Sequence, residues 1–106
     1  MRKRIAILLS TAALMGGCAA VNLTSLGAGV RLASPEAVVT CTNVGRLTAS
    51  VVHKAGFIPR HPDAVQDNLN VTARNTAAGM DGDTIVPASK VLEGRQTFEV
   101  YRCLRR

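Results

Sequence analysis

The sequence predicts an α+β domain: a small, mostly antiparallel sheet with one main helix packed on a face, stapled by a disulfide. Apolar and polar residues alternate through residues 46–51, which is the period of a half-buried strand. Between residues 65 and 80 apolar residues recur every three or four positions, as in an amphipathic helix. Strand patterns precede and follow this helix, and Cys41 and Cys103 flank them. Segregated strands and one helix are typical of the α+β class.

Length, aromatic content and charge limit what such a domain does. The 106 residues leave room for one domain, and only three are aromatic, which is too few for a platform that stacks nucleic-acid bases. The net charge is +6, but Arg2, Lys3 and Arg4 supply half of it ahead of an apolar run. A nucleic-acid binder carries its charge on the folded surface, so we expect no nucleic-acid partner.

Residues 1–17 are typical of a secretory signal. A basic start, "MRKR", precedes the apolar "IAILLSTAALM" and the small residues "GGCAA". A membrane-spanning helix is the alternative, but residues 5–20 contain two hydroxyl residues and two glycines and fall short of about 20 predominantly apolar residues. We therefore expect export from the cytoplasm.

Cys18 is the predicted lipidation site. "LMGGC" resembles the lipobox of bacterial lipoproteins, in which the cysteine becomes the new amino terminus and carries a diacylglyceryl thioether. Met15 stands where that pattern usually has leucine. Lipidation of Cys18 also leaves an even pair among three cysteines. The alternative is ordinary signal peptidase cleavage before Val21, which would release a soluble periplasmic protein.

Two or three acyl chains on Cys18 would hold the protein on its membrane, since each buried methylene contributes about 0.8 kcal/mol. The resemblance implies sorting to the outer membrane, facing the periplasm, because Ala19 is not the aspartate that favours the inner membrane. We expect residues 18–29 to form a lipidated tether and residues 30–106 the domain.

The elements of the domain follow in order. Residues 30–33 predict a short strand, Pro35 suits the first turn of a helix over residues 35–39, and residues 43–52 predict a long strand. Residues 53–63 contain Gly56, Pro59 and Pro62 and predict a loop, whose Phe57 and Ile58 form either a flap over the core or an exposed contact.

The main helix is predicted to start with Asp63 as its cap, in a capping-box-like arrangement with Gln66. Gly82 is predicted as the left-handed residue that ends it. The apolar stripe comprises Val65, Leu69, Ala73, Thr76 and Met80.

Two further strands are predicted after the helix. Residues 83–89 form a buried strand, in which Pro87 requires an edge position or a bulge. Glu93 and Gly94 form a turn, and residues 96–103 pair back as a hairpin.

Cys41 and Cys103 are predicted to form a disulfide, because paired cysteines in an oxidising compartment usually do. Two separate buried thiols are the alternative. A zinc site built from both cysteines with His53 and His61 is disfavoured, since zinc ligands usually come in closely spaced pairs. We therefore predict no metal and no cofactor.

No convergent set of titratable residues predicts catalysis, so we expect no catalytic residue and identify no small-molecule substrate. His53 and His61 are either solvated polar residues or a pH sensor or anion contact. The basic end of the chain, which includes Arg102, is either a solvated tail or a contact with phosphate-bearing lipopolysaccharide or a partner protein.

Four stretches carry a resemblance over most of the chain: "GVRLA", "TCTNVGRLT", "LNVTARNTAAGMDGDTIV" and "YRC". With them the chain resembles small proteobacterial envelope lipoproteins of a domain-of-unknown-function family. It is more distantly similar to the outer-membrane lipoprotein that senses envelope damage for the Rcs phosphorelay, although the long disordered spacer and second cysteine pair of that sensor are missing. The resemblance implies a cysteine-bridged sheet with a packed helix. It also implies a binding or stress-sensing function, with an envelope protein or cell-wall material as partner. The matching residues are Cys41, Val44, Gly45, Leu47, Arg74, Asn75, Ala77, Asp81, Gly82, Ile85, Val86, Tyr101 and Cys103.

Overall fold

A computed structural model describes residues 21–55, 58–59 and 61–104. The predicted signal peptide, the lipidation site Cys18 and the apolar Phe57 lie outside the described residues. Within them the α+β prediction is confirmed: one main helix packs on a four-stranded sheet, and Cys41 and Cys103 form a disulfide. No helix among these residues combines the length and apolar character that crossing a membrane requires.

The four-stranded sheet is mixed and has the order β1-β5-β6-β2. Strand β1 pairs parallel with β5, whereas β6 pairs antiparallel with both β5 and β2. The helix, α1, spans Pro62–Gly79. The strands are β1 (Arg31–Leu32), β2 (Thr42–Ser50), β3 (Lys54–Ala55), β4 (Ile58–Pro59), β5 (Thr84–Pro87) and β6 (Arg95–Arg102).

The segment predicted as a loop contains a small two-stranded ribbon. Lys54 pairs with Pro59 and Ala55 with Ile58, so β3 and β4 run antiparallel across a two-residue connection. The prediction of an uninterrupted loop over residues 53–63 is wrong here. Glycine and proline occur in short paired strands as well as in loops, so composition alone does not separate these structures.

The core lies between α1 and one face of the sheet. Val65, Leu69, Ala73 and Ala77 form the buried stripe of the helix, at a spacing of four. Thr76, predicted in the stripe, is exposed, and Ala77 takes its place. Ala73 and Ala77 are fully buried, and their small side chains let the helix lie close to the strands. The sheet contributes Leu47, Ala49, Ile85, Phe98 and Val100.

The N-cap lies two residues before the predicted cap, Asp63. His61 is the N-cap, and its Nδ1 accepts a hydrogen bond from the backbone N–H of Asp63 at 3.2 Å. Pro62 holds the first helical position, where its missing N–H costs nothing. Gln66 does not complete a capping box but donates from Nε2 to Gln96 Oε1 of β6 at 2.8 Å.

The helix ends at Gly79 and Asp81 is the left-handed residue that follows it, so the prediction of Gly82 in that position is wrong. Asp81 has φ 64°, a conformation that aspartate tolerates better than most residues. The Asp81 N–H donates to Ala78 O at 3.2 Å and the Gly82 N–H to Ala77 O at 2.9 Å, which together make a Schellman motif. Gly82 is required for space, because a Cβ there would overlap the side chain of Val100.

The hairpin after the helix has the predicted form. Pro87 is exposed and ends β5 beyond Ile85, the last residue that pairs with β1, so its missing N–H falls at an open edge as predicted. Glu93 and Gly94 make a tight turn with φ 50° and 74° between Leu92 and Arg95. Positive φ at both central residues is the signature of a type I′ turn.

The second face of the sheet is partly covered by the chain that connects β1 to β2. These strands lie at opposite edges, so residues 33–41 cross the sheet. Thr84 and Val86 point away from the helix, yet they are 0% and 4% exposed. Val38 of the 3-10 helix Pro35–Val38 is also buried, as expected if this crossing segment covers them. The predicted helical turn is confirmed.

Candidate functional site

The domain has two chemically different ends. At one, the disulfide Cys41–Cys103 lies beside the paired residues Thr42 and Arg102, near the end of α1. We call this the bridged end. At the other, Ser50 pairs with Arg95 beside the hairpin turn, near the start of α1. A groove opens there, and we call this the groove end.

The groove has a volume of about 470 Å³ and lies between the start of α1 and the hairpin turn. One part of its lining is apolar and the other carries carboxylates, an imidazole and an amide. Its volume falls within the usual range for small-molecule sites. The lining residues are His53, Pro62, Asp63, Val65, Gln66, Val91, Glu93 and Gly94.

A close contact between two chain segments shapes one wall of the groove. The Val51 N–H donates to Gly94 O at 2.8 Å, which holds the hairpin turn against the residues after β2. A Cβ on Gly94 would lie 2.5 Å from Val51 O and 2.9 Å from His53 Nδ1. Only glycine fits there at φ 74°, and its absent side chain leaves His53 beside the turn.

A chain of amide hydrogen bonds supports the floor of the groove. Gln66 Nε2 donates to Gln96 Oε1 at 2.8 Å, and Gln96 Nε2 donates to Ser89 O at 2.9 Å. Gln96 is 6% exposed, so these bonds satisfy a buried amide that would otherwise lose water without compensation. Helix, strand β6 and hairpin are thereby fixed relative to each other.

The chemistry of the groove suits binding. Asp63 and Glu93 supply carboxylates, His53 an imidazole, and Val65 and Val91 apolar contacts. None of the described residues that line it is a serine, cysteine or lysine nucleophile. Such a surface can receive a ligand that presents both apolar area and hydrogen-bond donors.

The residues weighed as zinc ligands do not come together. Cys41 and Cys103 are bonded to each other at the bridged end, with their Cα atoms 4.5 Å apart. His53 lines the groove, whereas His61 caps the helix. Across the described part of the chain, no three His, Cys, Asp or Glu residues cluster in a way that could hold a metal ion.

At the bridged end, Asn75 of α1 binds the beginning of the described chain. Its Oδ1 accepts from the Thr24 N–H at 2.9 Å and the Thr24 hydroxyl at 3.0 Å, and its Nδ2 donates to Asn22 O at 2.9 Å. A Cβ on Gly27 would overlap Asn75 Oδ1, so this segment approaches the helix as only glycine allows.

Arg74 extends this grip along the same segment. Its Nε donates to Val30 O at 2.7 Å and its Nη2 to Ala28 O at 3.3 Å. We call Arg74 and Asn75 the clamp. From Asn22 onward the chain is therefore bound to the domain. No sequence pattern predicted these contacts, although both residues stand in the stretch "LNVTARNTAAGMDGDTIV" and lie off the apolar stripe.

Asp83 fixes the other chain terminus at the bridged end. It is 4% exposed, and its carboxylate accepts from the backbone N–H groups of Cys103 and Leu104 at 2.8 and 2.9 Å and from the Thr84 hydroxyl at 2.9 Å. Arg102, predicted as part of a basic tail, donates to the Asp81 carboxylate at 3.0 Å. The last two arginines lie outside the described residues.

The uncovered part of the sheet carries a polar ladder across β2 and β6. Asn43 donates to Glu99 Oε1 at 2.9 Å and Arg46 to Glu99 Oε2 at 2.6 Å. Hydrogen bonds from Asn43, and then from Arg46, lower the pKa of Glu99. Beside them, the hydroxyls of Thr48 and Thr97 lie 3.1 Å apart. These contacts bond side chains to each other and account for the polar surface of the sheet.

Comparison with curated proteins and with solved structures gives no match. The family model DUF4156, described as a domain of unknown function, matches residues 21–103. The match begins before β1 and so includes the clamped segment as well as the sheet, the helix and both bonded cysteines. The chain belongs to the DUF4156 family.

Proposed function

We propose that the chain is a non-enzymatic lipoprotein of the bacterial envelope, whose domain faces the periplasm as a binding or stress-sensing module. Cys18 carries the lipid, the membrane is the outer membrane, and the groove receives an envelope protein or cell-wall material. The observation that carries the proposal is the clamp: Asn75 binds Asn22 and Thr24 at the end of the domain opposite the groove.

Because few residues separate Cys18 from the clamped segment, the clamp determines which end of the domain faces the membrane. Four residue steps separate Cys18 from Asn22, and a fully extended chain covers at most about 3.6 Å per step, or about 14 Å. A lipid on Cys18 would hold the bridged end near the membrane. The eight residues of β6 rise about 3.3 Å each, so the groove would lie about 26 Å further out. The partner would then meet the groove from the periplasm.

The first test measures the anchor. The mature protein is isolated from cells, and the mass of its amino-terminal peptide is determined. In parallel, cells with wild type or Cys18→Ala are fractionated into membrane and soluble parts. We expect a lipidated Cys18 in wild type and loss of the variant from the membrane fraction. The control is Cys41→Ser, which removes the disulfide and leaves Cys18 in place, so its amino-terminal peptide should keep the lipid.

The second test concerns the groove. A photoreactive amino acid replaces either Val91, which lines the groove, or Thr76, which is exposed on α1 outside it. We expect adducts in intact cells from position 91 only, and a changed envelope-stress response when the gene is deleted. Equal adducts from both positions, or no adducts and an unchanged stress response, would contradict a binding or sensing module.

A soluble periplasmic accessory protein is the second candidate. Cleavage before Val21 would leave Asn22, Thr24 and Gly27 in the mature chain, so the clamp could form without any lipid. The same mass measurement separates the candidates, because this one requires an unmodified peptide that begins at Val21.

A further inference from the structure

We propose that the bridged end contacts the bilayer surface directly, through an apolar patch formed by Leu23, Leu26 and Leu104. The inference rests on the proposed lipidation of Cys18 and adds to it a defined contact with membrane lipid. Leu26 is 76% exposed, Leu104 64% and Leu23 38%. Three large apolar side chains at one end of so small a domain call for a covering surface.

The three leucines are brought to the same end by contacts already described. Leu26 and Asp83 line one cleft of about 260 Å³ beside the end of α1. The Leu104 N–H donates to Asp83 Oδ2 at 2.9 Å, so Leu104 lies next to the same carboxylate. Leu23 stands between Asn22 and Thr24, which are both hydrogen-bonded to Asn75. Asn75 lies about one helical turn before the end of α1.

Basic residues accompany the patch. Arg31 is exposed, and its backbone N–H donates to Asp83 O at 3.1 Å. The side chain of Arg102 is 36% exposed and pairs with the Asp81 carboxylate at 3.0 Å, so these two charges offset each other beside the patch. Two further arginines follow Leu104 in the sequence. The two acidic side chains near the patch, Asp81 and Asp83, are engaged in hydrogen bonds within the domain. Apolar side chains flanked by arginines suit an interface of acyl chains and lipid phosphates.

The short link to Cys18 identifies the occupant. With at most about 14 Å between the anchored residue and Asn22, little space remains between this end and the membrane. A single α-helix with its side chains is about 10–12 Å across and would by itself fill this space, so a folded partner of more than one layer would not fit beneath the domain. The bilayer itself is the surface within reach of the patch.

The experiment compares two matched positions on the intact lipidated protein. Leu26→Cys tests the patch, and Leu92→Cys is the control, because Leu92 is 72% exposed at the groove end. Cys18 is lipidated and the other two cysteines are bonded, so each variant carries one reactive thiol for an environment-sensitive fluorophore. The proteins are placed in vesicles of phosphatidylethanolamine and phosphatidylglycerol, with or without brominated acyl chains.

We expect the bromine atoms to quench the probe at position 26 several-fold more than the probe at position 92, at every protein-to-lipid ratio. Leu104→Cys should behave as Leu26→Cys does, which guards against a local effect at one site. Equal quenching at positions 26 and 92 overturns the proposal. The proposal is also overturned if the probe at position 26 reports an apolar environment only at high protein density and without bromine quenching, because that result indicates contact between two copies.

Failure of this inference and failure of the proposed function give different results. The mass of the amino-terminal peptide reports the lipid on Cys18 whatever the orientation of the domain. A lipidated protein whose position 26 remains exposed to water overturns the membrane contact alone. A protein without lipid on Cys18 removes the anchor, and the membrane contact with it.

Discussion

The bridged end and the groove end differ in how firmly the chain is held. The bridged end contains a disulfide, a Schellman motif, the clamp and the buried Asp83. At the groove end a histidine cap, a type I′ turn and one chain of glutamine bonds hold the elements together. Covalent and polar restraints are therefore concentrated where the described chain enters and leaves the domain. The titratable side chains His53, Asp63 and Glu93 line the groove.

This division fits the physical requirements of an anchored module. If Cys18 carries the proposed lipid, a force transmitted from that anchor would reach the domain first through residues 22–30, and this segment would need the strongest hold. Binding surfaces, by contrast, are drawn from less restrained loops and turns. If the comparison is valid, substitutions at the bridged end should destabilise the domain more than substitutions at the groove end.

The largest effect is expected from Cys103→Ser. The disulfide joins residues that are 62 positions apart, and closing a loop of that length stabilises the fold by about 4 kcal/mol in the chain-entropy model. That is close to the whole stability of many small domains. Urea unfolding should show the loss for the variant in oxidising buffer. A variant as stable as oxidised wild type would contradict the assigned importance of the bridged end.

Reductant provides the control for that measurement. Wild type treated with reductant should fall to the stability of Cys103→Ser, while the variant itself should not respond, because it has no bond left to break. A wild type that unfolds at the same urea concentration with and without reductant would show that the bridge does not form in solution.

Next in size is the effect of Gly27→Ala at the clamp. The added Cβ would overlap Asn75 Oδ1 and lie 3.0 Å from Thr24 Oγ1, so the segment must move and its hydrogen bonds must lengthen. Crowding of this kind typically costs about 1–3 kcal/mol. The free energy of unfolding measures the loss, and amide exchange at Thr24 locates it.

Gly29→Ala is the matched control, since it lies in the same 3-10 helix and nothing lies within 4 Å of an added Cβ there. It should leave both the free energy of unfolding and the exchange at Thr24 unchanged. Equal effects of the two substitutions would mean that the clamp does not depend on the close approach at Gly27.

The contrast between these glycines shows what sequence patterns can and cannot supply. Periodicity predicted α1, β2 and the hairpin, because burial of one face repeats at a fixed spacing. The disulfide was predicted from the cysteine count and from the expected oxidising compartment, and the structure contains it. The clamp joins residues about 50 positions apart through single hydrogen bonds, and such contacts leave no period in the sequence.

The two errors at the ends of α1 have different physical causes. The sequence offers Asp63 and Gly82 as typical terminal residues, but the chain uses His61 and Asp81. Pro62 occupies the first helical position, so the cap falls on His61. Gly82 is required by packing, because a Cβ there would overlap the side chain of Val100. The groove was also beyond prediction. His53 and Glu93 are 40 positions apart and meet only because the hairpin folds back on the end of β2.

At the groove end, Gln66→Ala should have a smaller effect. It removes the donor to Gln96 Oε1 and leaves a buried acceptor without that bond, a loss of about 1 kcal/mol. We expect faster amide exchange in the hairpin and no change at Thr24. Asp67→Ala, at the exposed neighbouring position, is the control and should alter neither. Faster exchange at Thr24 in Gln66→Ala would show that the two ends are not independent.

The smallest effect is expected from the polar ladder, as a dependence of stability on pH. Hydrogen bonds from Asn43 and Arg46 lower the pKa of Glu99 below its usual 4.5. The folded protein therefore favours the charged carboxylate more than the unfolded chain does. Its contribution is complete above 4.5 and is lost as the pH falls through the lowered value. Glu99→Gln should remove this part of the acid dependence when urea midpoints are compared from neutral pH downward.

Glu36 requires that comparison to be made between variants. Its pKa is also lowered, first by a hydrogen bond from its own backbone amide and then by one from the Ser34 hydroxyl. The acid dependence of wild type alone would therefore include Glu36 as well as Glu99. The Glu36 contribution is common to wild type and Glu99→Gln and cancels in their difference. Identical acid dependence in the two proteins would mean that the Asn43–Glu99–Arg46 contacts break in water. The exposed ladder would then add nothing to a fold whose stability resides in its core and its bridged end.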